Sequence, residues 1–318
     1  MTSNSANPES TFAALHSDII ETHLLTRFDG ASLASVASTS NLLHALCDKQ
    51  SLWKDICDST WKSVQHPLVQ EAISNFPGGY RSFYSDSFPV LGANSRQGKN
   101  HGLVENQTVE IISAVDIHYG KNPVFSRVAV TNTDASSFPG SLFSVDLIDR
   151  KETVEIPLKC EGFEKMSELE DKLRLSWIVI DPTLKRAANV SSLRPVSVRP
   201  HGDKRAVEVT YAAILSGKCC DIDTTEFVEC RIVAVFGCEE GNNMEVRELS
   251  LCLVDMVRSR LNGELSLRIL QEAMENGERR KESGQGKEMY AKSLDFKRQR
   301  FVFWVFFASF LISLFWLA

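Results

Sequence analysis

Eight cysteines, at 47, 57, 160, 219, 220, 230, 238 and 252, and seven histidines are the residues of this chain best suited to hold a metal or to act as nucleophile and base. Their spacing argues against both roles. A zinc site takes four thiolate or imidazole ligands, which commonly enter in closely spaced pairs, and the sequence has no Cys-x-x-Cys and no histidines at finger spacing. Cys219, Cys220, Cys230 and Cys238 come nearest to a cluster, but adjacent residues of a strand point to opposite faces. Buried, reduced thiols are the expectation. His16, His23 and His44 fall close together, while His66, His101, His118 and His201 are scattered. Each is expected to be a surface imidazole or a hydrogen-bonded, partly buried one. The acidic run Glu168-Leu169-Glu170-Asp171 reads as a solvated helix face rather than a pair of catalytic carboxylates. The patterns GxxxxGK[ST], strand-linked GxGxxG, GxSxG and HExxH are absent. The expectation is a protein that is not an enzyme and carries no cofactor and no metal.

Charge narrows the partners. A formal charge of −6 and a pI near 5.7 speak against nucleic-acid binding, which needs a basic face to displace counterions. The basic residues instead collect near the end, in Arg279-Arg280-Lys281 and Lys297-Arg298-Gln299-Arg300.

Several elements must position whatever surface does the work. Residues 1–11 are a Ser/Asn-rich tail without a secretory signal. Phe12 to Trp61 holds short helical stripes. Ile20, Leu24 and Phe28 recur at steps of four, with Ser17 or Asp18 as cap and Glu21 placed as a capping-box carboxylate. Asp29-Gly30 breaks the chain; Leu33, Val36 and Ala37 form the next stripe; and after a Thr39/Ser40 cap come Leu42, Leu43 and Leu46. Ser51 opens a last turn with Leu52, Trp53, Ile56 and Cys57. Residues 62–102 read as an aromatic bracket, around Tyr80-Arg81-Ser82-Phe83-Tyr84, followed by a Gly/Asn-rich linker from Leu91. From 103 to 276 the period changes to two, as in Leu173, Leu175, Trp177 and Val179, which predicts an antiparallel, sandwich-like domain. Within it a helix is expected over Glu164 to Asp171, and near its end another over Leu265 to Met274. Asp181-Pro182-Thr183 and Asn189 to Arg199 are read as turns.

Residues 277–300 are charged and Gly-containing, and read as a tether. The uncharged run 301–318, FVFWVFFASFLISLFWLA, would span about 27 Å as a helix. It predicts a transmembrane tail anchor, with the preceding basic residues keeping the bulk of the chain in the cytosol, on the endoplasmic reticulum or another endomembrane; the alternative is cytoplasm or nucleus. The expected fold class is thus α+β: a small three-helix unit at 12–61, a β-rich domain at 103–276, a C-terminal helix and a single membrane helix.

A helical unit of about fifty residues has more apolar surface than it can hide alone. Its residues resemble the F-box. The opening pattern is matched by Leu15-His16-Ser17-Asp18-Ile19-Ile20, the middle segment by Leu33 to Ser40, and the close by Leu52-Trp53-Lys54-Asp55-Ile56-Cys57. His16 stands where the family has proline, a departure at the entry to the first helix. Trp61 and Tyr80 to Tyr84 are similar to one plant subgroup of F-box proteins. The resemblance implies the substrate-recognition subunit of an SCF-type cullin-RING ubiquitin ligase, which the apolar tail would place at a membrane surface; the alternative is a membrane-tethered interaction protein that binds the adaptor without forming an active ligase. The receptor would bind a Skp-type adaptor, and through it a cullin scaffold and RING subunit, and would present an unknown protein substrate. The residues it implies as adaptor-binding anchors are Leu15, Ile19, Ile20, Leu24, Leu33, Leu52 and Trp53, some facing the adaptor and others the internal core.

Overall fold

The computed structural model describes residues 16–95, 108–149, 151–160, 166–202, 205–217, 227–238, 243–255 and 258–280. The first helix, α1 (Ser17–Ile19), continues as a π-helical turn over Ile20–Leu24 and a 3-10 turn over Leu25–Arg27. Its cap is His16 rather than Ser17 or Asp18: the Asp18 N–H donates to His16 Nδ1 at 3.4 Å. Glu21 makes no capping box and pairs instead with Lys49. The Thr22 and Thr26 hydroxyls donate back to the carbonyls of Asp18 and Thr22, at 2.6 and 2.9 Å. Such back-bonding loosens the regular ladder, in keeping with the widened turn.

The next helices begin where local chemistry expects them. Asp29 caps α2 (Gly30–Ala37) by accepting from the Ser32 N–H at 2.7 Å. Ser40 caps α3 (Asn41–Cys47) by accepting from Leu43 at 3.2 Å. Helix α4 (Gln50–Thr60) leads through a 3-10 turn at Lys62–Gln65 to α5 (Pro67–Ser74), whose first-turn proline has no N–H to leave unpaired. Helix α6 (Gly79–Ser87) starts at a glycine with φ of +53°, a conformation that costs glycine little. Gln50 clasps that turn from the side: its amide donates to the Gly78 carbonyl and its oxygen accepts from the Tyr80 N–H.

Twelve strands follow among the described residues: β1 (Val90–Ser95), β2 (Glu110–Tyr119), β3 (Asn122–Asn132), β4 (Val145–Asp146), β5 (Val154–Lys159), β6 (Leu173–Asp181), β7 (Arg186–Asn189), β8 (Ser197–Pro200), β9 (Ala206–Ser216), β10 (Phe227–Cys238), β11 (Asn243–Val254) and β12 (Gly277–Arg280). Two more helices, α7 (Met166–Lys172) and α8 (Gly263–Asn276), complete the described elements. One sheet has the order β12-β1-β7-β6-β2-β3; the other runs β4-β11-β10-β9-β8, with β5 also on β11. Every pairing is antiparallel except β1 with β7. The Gly/Asn-rich stretch read as linker from Leu91 therefore supplies a strand up to Ser95, and the stretch read as tether from Gly277 supplies β12 beside it.

The layers explain why strand β2 looks almost continuously apolar. Ile111, Val115 and Ile117 join a core shared with the second sheet, while Ile112 and Ala114 join a core shared with helices α2 to α6. A strand covered on both faces has no polar row to show. The first sheet is thus the middle layer, with helices on one side and the second sheet on the other.

Two expectations are corrected. A membrane-crossing helix needs about 20 predominantly apolar residues, and no helix among the described residues is long and apolar enough to cross a membrane. The run 301–318, on which that expectation fell, lies outside the described residues. The described fold is therefore α+β with no membrane-crossing helix among the described residues, and the expected single membrane helix and tail-anchored placement are not supported. The second concerns the thiols. Cys47, Cys57, Cys230 and Cys252 are free and buried, but Cys160 and Cys238 are joined as a disulfide. Their strands flank β11 on its two sides, which brings the ends of β5 and β10 together.

Candidate protein-binding surface

The anchors read from the sequence divide into two groups. Ile20, Leu33, Leu52 and Trp53 lie inside the helical core, none more than 5% exposed. Ile19 is 50% exposed and Leu24 is half-buried. Leu15 lies outside the described residues. The buried group has a structural role: Trp53 donates from Nε1 to the Cys47 carbonyl at 2.7 Å and its ring lies 5.4 Å from that of Tyr84. Tyr84 and Phe83 in turn pack on Trp61. Thus the Tyr80 to Tyr84 segment and the tryptophans form one aromatic cluster binding α4 to α6. Gly30 allows the close approach of α2 to it, because a Cβ there would sit 2.3 Å from the Tyr84 ring. Burial pushes the Cys57 thiol up to about 12, as befits an inert packing group.

What the helical layer leaves in solvent is a second apolar set. Leu42 is 48% exposed, and Phe28, Val36, Leu43 and Ile56 are only partly covered. Leu42 is not among the anchors that the resemblance implies, though its edge position is legible in the sequence. In Asn-Leu-Leu-His-Ala-Leu-Cys the buried positions are Leu46 and Cys47, and at about 100° per residue their mean direction lies roughly 90° from Leu42, which leaves Leu42 at the edge of the stripe.

The other side of the helical layer is fixed to the first sheet. Ile112, Ala114, Ile178, Ile180 and Ala187 supply its apolar floor. Two buried carboxylates add direction. Asp116, fully buried, accepts from the Ser63 N–H at 2.9 Å and the Ser63 hydroxyl at 2.5 Å. Burial raises its pKa, against the opposing pull of hydrogen bonds from Ser63 and Ser126. Asp86 on α6 accepts from the Ala187 N–H at 3.2 Å and faces Arg186 and Arg279 at 3.3 and 3.4 Å. Burial raises its pKa too, with the two guanidinium groups pulling the other way. Arg279 lies on β12 and also donates to the Met274 carbonyl at 2.6 Å, so the end of the described chain is tied into the same seam. A hydrogen-bonded buried charge fixes orientation, because any slippage leaves it unpaired. The apolar set that remains in solvent is therefore carried at one angle to the β layers.

Three F-box proteins of Arabidopsis thaliana are similar to the chain over most of its length. One is 39% identical over 298 residues, covering 89% of this chain and 80% of the relative. A second, named as a probable F-box protein, is 41% identical over 288 residues, covering 87% and 82%. A third is 34% identical over 300 residues, covering 91% and 87%. No family model and no solved structure matches the chain.

Proposed function

The chain belongs to the F-box protein family, and from that premise we propose that it is a substrate-recognition subunit of an SCF-type ubiquitin ligase. In this reading a Skp-type adaptor covers Ile19, Leu24, Leu42 and their half-buried neighbours, while Ile20, Leu33, Leu52 and Trp53 hold the helical unit in shape beneath it. The adaptor bridges to a cullin and RING subunit, and the β layers hold the target. The chain itself makes and breaks no bond. It raises the local concentration of target lysines near the activated ubiquitin, and a fixed angle between adaptor surface and target surface makes that concentration useful.

The observation that carries this reading is the split of the helical unit's apolar residues. One set is sealed against the chain's own sheet; the other, led by Ile19 and Leu42, stays exposed at about half its surface. The test is co-elution of the full chain with a Skp-type adaptor on size exclusion. The double variant Ile19→Asp, Leu42→Asp places two charges in the apolar contact and is expected to weaken adaptor binding by at least about hundredfold. Leu142→Asp, at an exposed leucine near the start of α8, should leave binding unchanged. Equal adaptor binding by the double variant and the native chain would defeat the assignment.

A further inference from the structure

A cleft of about 370 Å³ opens where β2, β5, α7 and β11 meet. Leu158, Leu169 and Met244 give it apolar walls, and Tyr119 lies at its side. Its charged groups are not equivalent. Glu168 is satisfied within the protein: it accepts from the Tyr119 hydroxyl at 3.1 Å and pairs with Lys172. The Lys172 ammonium also lies 5.2 Å from the centre of the Tyr119 ring. Lys159, which is exposed, donates only to the neutral side-chain oxygen of Asn243, at 3.1 Å, and no carboxylate among the described residues pairs with it. Among the described residues that line the cleft, one positive charge, that of Lys159, is therefore in excess.

The wall carrying that charge is held in place. Strand β5 sets Lys159 opposite Asn243 and Ile156 opposite Met244. The next residue, Cys160, is bonded to Cys238 at the end of β10. Cavities of a few hundred Å³ suit one or two side chains rather than a folded surface.

We propose that this cleft takes an extended segment of the target protein in which an apolar side chain is followed by a carboxylate. The apolar group lies on Leu158, Leu169 and Met244, and the carboxylate meets Lys159. The proposal rests on the receptor reading above and names the chemistry by which the target is chosen.

The test uses three pools of nine-residue peptides, random except for a central Leu-Asp, Leu-Asn or Leu-Arg, titrated against the full chain by fluorescence polarisation. One ion pair at a half-open site corresponds to about fivefold tighter binding of the Leu-Asp pool than of the Leu-Asn pool, falling as salt is raised. Lys159→Glu changes an exposed side chain, preserves the fold, and should invert the order in favour of Leu-Arg. Equal binding of the three pools, or an order that Lys159→Glu leaves intact, would overturn the cleft assignment. Adaptor co-elution is measured on the same protein. A native chain that discriminates the pools but fails to bind the adaptor supports the cleft and counts against the receptor reading, whereas the reverse result counts against the cleft alone.

Discussion

The two faces of the first sheet are built differently. Towards the second sheet it presents mainly large apolar groups, Ile111, Val115, Ile117, Leu175, Trp177 and Val179, with buried Ser113 accepting from Trp177 Nε1 at 3.1 Å and buried Asp181 at the strand end accepting from Thr108 and Gln271. Towards the helices it presents smaller or aliphatic groups, Ala114, Ala187, Ile112, Ile178 and Ile180, together with the buried Asp116 and, from the helical side, Asp86. Dispersion and dehydration are strong but do not depend on direction, so the sheet-on-sheet face supplies stability. Hydrogen bonds to buried carboxylates add little net free energy but penalise every other alignment. The helical face therefore supplies orientation, which a receptor that works by positioning needs most.

The largest expected effect probes the stabilising face. Trp177→Ala should cost about 4 kcal/mol, read as a lower midpoint in urea, with far-UV circular dichroism and intrinsic fluorescence changing together. Trp53→Ala in the helical core should cost about as much and, if the seam unites the layers, should lower the same single transition. Two separated transitions in the Trp53 variant would break the picture of helices and sheets as one cooperative body.

A smaller effect tests the orienting face. Asp116→Ala leaves the Ser63 N–H and hydroxyl buried without their acceptor, which costs about 2 kcal/mol and should loosen the helical layer more than the sheets in amide hydrogen exchange. The pH dependence follows from the raised pKa of Asp116. Its carboxyl binds a proton more tightly in the folded chain than in the unfolded one, so protonation favours the native state. Stability should rise as pH falls from neutral through the folded-state pKa, and this contribution levels off below the ordinary carboxylate range, where both states are protonated. Asp116→Asn, compared with the native chain in urea titrations from pH 7 to pH 4, should remove that rise; identical slopes would mean that the carboxyl does not feel its burial.

The smallest effect is expected at the surface tie between the first helix and the start of α4. Lys49→Met removes the pair with Glu21, whose partners are 47% and 21% exposed, and should cost no more than about 0.5 kcal/mol. A loss of several times that in thermal denaturation would show the first helix to be held more by charge than by Ile20 and Leu25.

Local chemistry made much of the architecture legible. Ser40 caps its helix as read, and Asp29 and Asn262, read as a break and a turn, do the same, because a side-chain oxygen three residues ahead of an unpaired N–H needs no distant partner. Helical spacing alone puts Leu267, Ile269, Leu270, Ala273 and Met274 of α8 inward, and the last four are buried while Leu267 is half-buried. The exceptions are instructive. His16, not Ser17 or Asp18, caps the first helix, and Glu21 is drawn off by Lys49, a residue 28 positions away. Strand β1 forms from an unpromising Gly/Asn-rich stretch because β7 and β12 offer it two sides to pair with.

By itself the sequence determined the helical stripes of the first fifty residues, the alternation in β6, and the ordered leucines and tryptophan that mark the family, since each depends on spacing along one chain. Only the tertiary structure decided which apolar anchors are core and which are surface, and that Asp116 and Asp86 lock the helices to the sheet. It also decided that Cys160 meets Cys238. Burial and pairing depend on what the rest of the chain brings to the other side, and no local pattern carries that information.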